Sequence, residues 1–262
     1  MAIQVTYYVY DDPEEMSQHM ARLMTDSLGA AAARRGVARV AVSGGNTPRR
    51  SFELLADANQ PFRGQMPWGK LGFYFVDERC VPPDDKDSNY RMTREALLAH
   101  VPLAEDHVFR MEGELPPEEA AARYESAIRN GLRLEGAELP AFDLVTLGMG
   151  PDGHTASLFP HTAALGETMR ICVANHVPQK DTWRITLTYP VINRAREVVF
   201  LIAGEDKAEP LHEVLQGAYN PDEFPSQLIR PANGKLTLLL DRAAAAKLPE
   251  PVDGKGTLEI SR

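Results

Sequence analysis

Cysteine is scarce: Cys80 and Cys172 are the only two, far apart and outside any CxxC spacing. That leaves no basis for a disulfide framework or a thiolate zinc site. Both read as packing residues, although Cys80 lies near a candidate site loop. Basic residues are in the minority, 28 Lys and Arg against 37 Asp and Glu, for a formal charge of −9. Nucleic acid and anionic membranes are therefore not expected as general partners, while a locally positive pocket stays open. Long apolar runs are also missing. No segment approaches membrane-spanning length, and the opening MAIQVTYYVYDD has neither the basic start nor the apolar core of a signal peptide, which points to a cytoplasmic protein. What remains is ordinary: 262 residues, 44% hydrophobic and 25% charged, enough for a single domain with one large core.

Strands and helices alternate along the chain. Ile3 to Tyr10, rich in β-branched and aromatic residues, reads as a first strand. Pro13, Glu14 and Glu15 open a helix in which Met16, Met20, Leu23, Met24 and Leu28 recur at helical spacing as far as Gly36, a stripe that belongs in a core. Val37 to Val42 is a second strand, after which Pro48 suits a first helical turn with Thr47 as its cap. Leu71 to Val76 is a third strand, ending at Asp77-Glu78-Arg79. Asp84 to Ser88 is a polar loop and Asn89 to His100 a helix. A short strand falls between His107 and Glu114, then a helix from Pro116 to about Asn130, closed near Gly131. Ile171 to Ala174 and Arg184 to Thr188 form a local antiparallel element. Val198 to Ala203 lacks alternation and so is buried on both faces. Leu236 to Leu240 is expected to close the sheet, with a peripheral tail from Leu248. The pattern predicts an α/β fold: a mostly parallel sheet with helices on both faces, right-handed crossovers and a small antiparallel element in the second half.

One stretch organises the rest. In FDLVTLGMGPDGHTASLFP, Phe142 to Pro160, a short apolar strand stops at Gly148 and a Gly- and Pro-bearing loop delivers Asp152 and His154. The C-terminal edge of a parallel sheet is where open α/β proteins bind ligands. His154 is the leading candidate for chemistry; a loop histidine with a local hydrogen bond is the plainer alternative. If the strands are parallel, SGGNTP, DER, GMGPDGH and GEDK all converge on that edge.

Ser43, Gly44, Gly45, Asn46 and Thr47 then resemble an anion cradle, in which exposed backbone N–H groups, two hydroxyls and a helix N-terminus face the ligand. The spacing fits neither a Walker A loop nor a GxGxxG fingerprint, so a small phosphorylated metabolite is favoured over a nucleotide. The alternative is a glycine turn that merely caps a helix. Arg79 can grip phosphate bidentately; Lys207 suits a phosphate point charge, with a solvated helix start as its plainer alternative; and Arg184 is a weaker candidate. No cluster has metal-ligand spacing. Arg49 and Arg50 are left unassigned.

The motifs SGGNTP, VDERCVPPDDKDSNY, GMGPDGHTASLFP and GEDK, in this order, resemble the family of 6-phosphogluconolactonases and glucosamine-6-phosphate deaminases, on its lactonase side. The resemblance implies a Rossmann-like sheet, no cofactor, a sugar-phosphate substrate and hydrolysis of 6-phospho-D-glucono-1,5-lactone in the oxidative pentose phosphate pathway. It also implies phosphate binding by Ser43, Gly44, Gly45, Arg79 and Lys207, with His154 transferring the proton. His161 departs from a glycine common in the family, with no effect expected on chemistry. Histidine-assisted attack of water needs no covalent intermediate. Asp152 could orient the imidazole if it reaches, and Asp77 could place the water or a sugar hydroxyl. Loop amides are the first candidates for the oxyanion donor and Arg184 the second. An amino-sugar phosphate deaminase and a non-catalytic sugar-phosphate sensor are the competing readings. A monomer or weak homo-oligomer is expected.

Overall fold

The computed structural model describes residues 2–260. In chain order the elements are β1 (Ile3–Tyr10), α1 (Pro13–Arg35), β2 (Ala38–Val42), α2 (Asn46–Ala56), α3 (Pro61–Gln65), β3 (Leu71–Phe75), β4 (Asp77–Arg79), α4 (Asn89–Ala96), β5 (Val108–Phe109), α5 (Pro117–Leu132), β6 (Leu144–Leu147), β7 (Cys172–Val177), β8 (Thr182–Leu187), α6 (Tyr189–Ile192), β9 (Glu197–Ile202), α7 (Ala208–Gln216), β10 (Lys235–Asp241) and β11 (Lys255–Ile260). The large sheet runs β11-β1-β10-β9-β6-β2-β3-β5, and a three-stranded sheet runs β4-β8-β7. Every neighbouring pair in the large sheet is parallel except β1 with β11. The fold is thus α/β and Rossmann-like, as the alternation predicts, and the small sheet is antiparallel.

The two-residue period of the strands sorts their side chains into two cores. Val40, Val42, Phe73, Phe75, Val199, Leu201 and Leu239 meet Met16, Met20, Met24 and Leu28 of α1 and Phe52 and Leu55 of α2. Their sequence neighbours Ala41, Tyr74, Val198, Phe200, Leu238 and Leu240 face the other way, onto Tyr124 and Ile128 of α5, Leu211 and Val214 of α7, and Ile185 of the small sheet. Burial of each such large side chain contributes about 1.5–3 kcal/mol, so the methionine stripe is a main anchor of α1.

Chain order places a functional edge. From β2 the sheet grows outward through β3 to β5, and the chain then returns to lay β6 on the other side of β2. The C-terminal ends of β2 and β6 therefore flank a topological switch point, where loops diverge and leave a crevice. Val76 joins the two sheets beside it, its N–H donating to the Val42 carbonyl and its carbonyl accepting from Leu187 N–H at 2.8 Å.

Four local expectations need correction. Asp77–Arg79 does not merely follow a strand but forms one of its own, β4, paired with Ile185 and its neighbours on β8. Helix α2 begins at Asn46 with Gly45 as N-cap at φ 96°, so Thr47 lies inside the first turn and does not cap. Gly45 turns the chain in a region that side-chain-bearing residues avoid, starting the helix earlier than Pro48 suggested. Helix α5 runs past Gly131 and ends at Arg133 in the left-handed region. Leu236–Leu240 does not close the sheet; β10 is interior, and the tail supplies edge strand β11.

Candidate active site

A cleft of about 240 Å³ opens at the switch point, lined by Ser43, Gly44, Thr47, Asp77, Arg79, Asn89, Gly148, Met149, Gly150, His154, Ala156 and Lys207 among others. The four segments expected to converge do so. Gly45 and Asn46 shape the helix start without lining the cleft, and Arg49 and Arg50 face Glu95 and Glu14 outside it.

His154 is held from three directions. Its Nδ1 lies 2.5 Å from Asp152 Oδ1, and its own amide donates to the same oxygen at 3.2 Å. So the two-residue turn does bring Asp152 within reach. The turn closes because Gly150 has no side chain: a Cβ there would sit 2.0 Å from His154 Nδ1. Phe159 stacks on the imidazole at 4.0 Å between ring centroids. The loop is pinned from behind by Ser226, whose N–H and hydroxyl both donate to the Gly153 carbonyl. Burial alone would raise the Asp152 carboxyl, but the hydrogen bond and charge of His154 outweigh it and leave it below its ordinary value. A carboxylate accepting at Nδ1 leaves Nε2 as the lone-pair nitrogen of the neutral ring.

The acids of β4 divide their work. Glu78 is buried, and its carboxylate accepts from the amides of Arg79, Asn89 and Tyr90 and from Ser88 Oγ, which ties it to the N-terminus of α4. Burial pushes its carboxyl up, against the lowering by those three amides. Asp77 faces the cleft, accepting from Ser157 Oγ at 2.7 Å and, more weakly, from Asn89 Nδ2. Asn89 also donates to the Asp77 carbonyl at 2.9 Å. Its close approach requires Gly44, where a Cβ would fall 2.0 Å from Asn89 Oδ1. Asn89 and Ser157 had no role in the sequence reading, because their partner is Asp77 on another element and no local pattern announces it.

Positive charge gathers on one side. Pairing of β4 with β8 sets Arg79 directly opposite Arg184. Burial and the neighbouring Arg79 both pull the Arg184 guanidinium below its ordinary value, and Arg184 lies behind the lining rather than in it. Neither arginine has a carboxylate partner within ion-pair distance among the described residues. Lys207 lines the cleft from the turn before α7 and pairs with exposed Asp206. The amides of Gly44, Gly148 and Met149 have no acceptor among the described residues. Together these groups can receive a dianion at one end and a developing oxyanion near His154.

Residues 11–238 match the family described as glucosamine-6-phosphate isomerases/6-phosphogluconolactonase. The chain belongs to this family. Among its relatives, the 6-phosphogluconolactonase of Synechocystis sp. is 42% identical over 226 residues, covering 86% of this chain and 90% of the relative. The human 6-phosphogluconolactonase is 36% identical over 252 residues, covering 95% and 96%. The solved 6-phosphogluconolactonase from Trypanosoma cruzi superposes with a TM-score of 0.80 at 31% identity, over 93% of this chain and 97% of that one. A monomeric glucosamine-6-phosphate deaminase shares the fold, with a TM-score of 0.75 at 21% identity. His161, where this family commonly has glycine, adopts φ 59°, a conformation natural to glycine, and is held outside the cleft by Asp222 and Glu223. Among the described residues no group of three or more His, Cys, Asp or Glu could hold a metal ion, and no helix is long and apolar enough to cross a membrane.

Proposed function

We propose that the chain hydrolyses 6-phospho-D-glucono-1,5-lactone to 6-phospho-D-gluconate. The observation that carries this reading is the single cleft that sets the hydrogen-bonded Asp152–His154 pair beside Arg79, Lys207 and a row of open amides. His154 Nε2 takes a proton from water as the water oxygen attacks C1 of the lactone. The carbonyl oxygen becomes an oxyanion, received by the Gly148 and Met149 amides, with Arg184 as a longer-range positive charge. Collapse breaks the bond from C1 to the ring oxygen, and the imidazolium returns its proton to that oxygen as the C5 hydroxyl. Neither cleft hydroxyl, Ser43 or Thr47, is hydrogen-bonded to His154, which favours water over a covalent intermediate. Asp152 fixes the tautomer, and Asp77 positions the water or a sugar hydroxyl. Arg79, Lys207 and the Ser43–Thr47 turn hold the phosphate.

The deaminase group, as the family resemblance implies, follows its aspartate–histidine loop with a glutamate that assists ring opening. Here that segment is Ser157-Leu158-Phe159-Pro160, and Phe159 covers the imidazole with an apolar face. The deciding experiment follows two products in parallel: acid release from freshly generated phosphogluconolactone, corrected for spontaneous hydrolysis, and ammonia from glucosamine 6-phosphate. Lactone turnover without ammonia is expected. Ammonia at a comparable rate, or tight sugar-phosphate binding with no turnover of either compound, overturns the proposal.

A further inference from the structure

At the opposite edge of the sheet, by the N-terminal ends of β2 and β3, lies a second cavity of about 270 Å³. It is lined by Arg39, Lys70, Tyr74, His107 and Phe109 together with Gly36, Val37, Gly69, Leu71, Gly72 and Gly131, and no Asp or Glu contributes to it. In a chain of net charge −9 it is a locally positive lining. Arg39 and Lys70 have no ion-pair partner among the described residues; the nearby Asp143 carboxylate is already taken by Arg35, Arg196 and the Arg39 amide.

The cavity is also kept open. A Cβ at Gly131 would lie 2.7 Å from the Tyr74 hydroxyl, and one at Gly72 would lie 3.1 Å from the Tyr74 ring. The Tyr74 hydroxyl has no hydrogen-bond partner among the described residues, and His107 Nδ1 is buried without one. Burial raises the Tyr74 phenol to about 12, against a lowering by Arg39, so it stays a donor. The Tyr74 ring is stacked on Phe109 at 4.4 Å, which fixes the hydroxyl in place.

We infer that this cavity is a second ligand site, distinct from the cleft, that takes a small phosphate monoester. Arg39 and Lys70 meet the phosphate, the Tyr74 hydroxyl donates to it, and Val37 and Phe109 receive the organic part. A guanidinium grips two phosphate oxygens while the rim ammonium adds a point charge, and the apolar wall gives an ester an advantage over the bare ion.

The test reads amide resonances site by site in ¹⁵N-labelled protein titrated with phenyl phosphate and, separately, with inorganic phosphate. Phenyl phosphate is expected to shift Gly36, Gly72 and Gly131 at lower concentration than inorganic phosphate does. Lys70→Glu, a change on an exposed turn, and Arg39→Gln should each weaken those shifts roughly tenfold or more, the worth of a charged hydrogen bond. Lactone hydrolysis by Lys70→Glu should match the parent. Shifts confined to Gly44, Gly148 and Gly150 would assign the binding to the cleft and overturn the proposal. Equal affinity for the two phosphates, or shifts unchanged in Lys70→Glu and Arg39→Gln, overturns it too.

Discussion

His154 is constrained at one ring nitrogen by Asp152 and on one ring face by Phe159, so its other nitrogen has a defined direction. His154→Ala should lower turnover by roughly 10²–10⁴, the usual worth of general acid–base catalysis, with substrate binding retained. Activity within a few-fold of the parent in a folded variant would remove His154 from the mechanism. Asp152 carries a prediction about pH. A carboxyl depressed in the folded state stabilises the protein above the unfolded pKa, and that contribution is lost as pH falls through the folded value. Asp152→Asn should therefore be less stable than the parent near neutrality, with the gap closing in acid below about pH 4. Urea unfolding across that range checks it, and a pH-independent gap would contradict the assignment. His154 was legible because glycines and a strand end surround it. That Asp152 reaches it was not, because the reach depends on the turn made possible at Gly150.

Among the elements, the junction of the β2–α2 turn with α4 is packed too closely to accept a side chain at Gly44. Gly44→Ala must displace the Asn89 side chain and break its bond to the Asp77 carbonyl. An overpacking cost of roughly 1–3 kcal/mol is expected. Adding Asn89→Ala should recover part of it, so that the double variant is less destabilised than the sum of the singles. Denaturant melts of the four proteins decide this, and strict additivity would show that the two residues do not meet. The helical spacing of α1 and the unbroken apolar runs of β3 and β9 were readable from the sequence. β4 was not, because three residues give no period, and its partner β8 lies a hundred residues on. The meeting of Arg79 with Arg184 follows only from that long-range pairing. β11 escaped notice because KGTLEI alternates weakly and follows a Pro- and Gly-bearing tail; Gly256 is small there because Tyr7 lies against it.

For the molecule as a whole, a net charge of −9 opposes the approach of a doubly charged substrate, and the cationic groups lining the cleft offset it locally. In the proposed reaction remote binding of the phosphate places the carbonyl, so gluconolactone without the phosphate should show a much lower kcat/KM. Lys207→Ala should narrow that preference. Equal efficiency of the parent on both lactones would discard the role given to the Ser43–Thr47 turn, Arg79 and Lys207. The same large sheet has a consequence for how the chain comes into being. Among the described strands β1 is made before all the others, yet both its neighbours, β10 and β11, are made after the rest. At ordinary synthesis rates it waits on the order of tens of seconds with both edges open. Val5 and Tyr7, buried in the finished core, are exposed for that interval. Of the described strands β1 is thus the one most open to aggregation during synthesis, and it is where a chaperone would have most to shield.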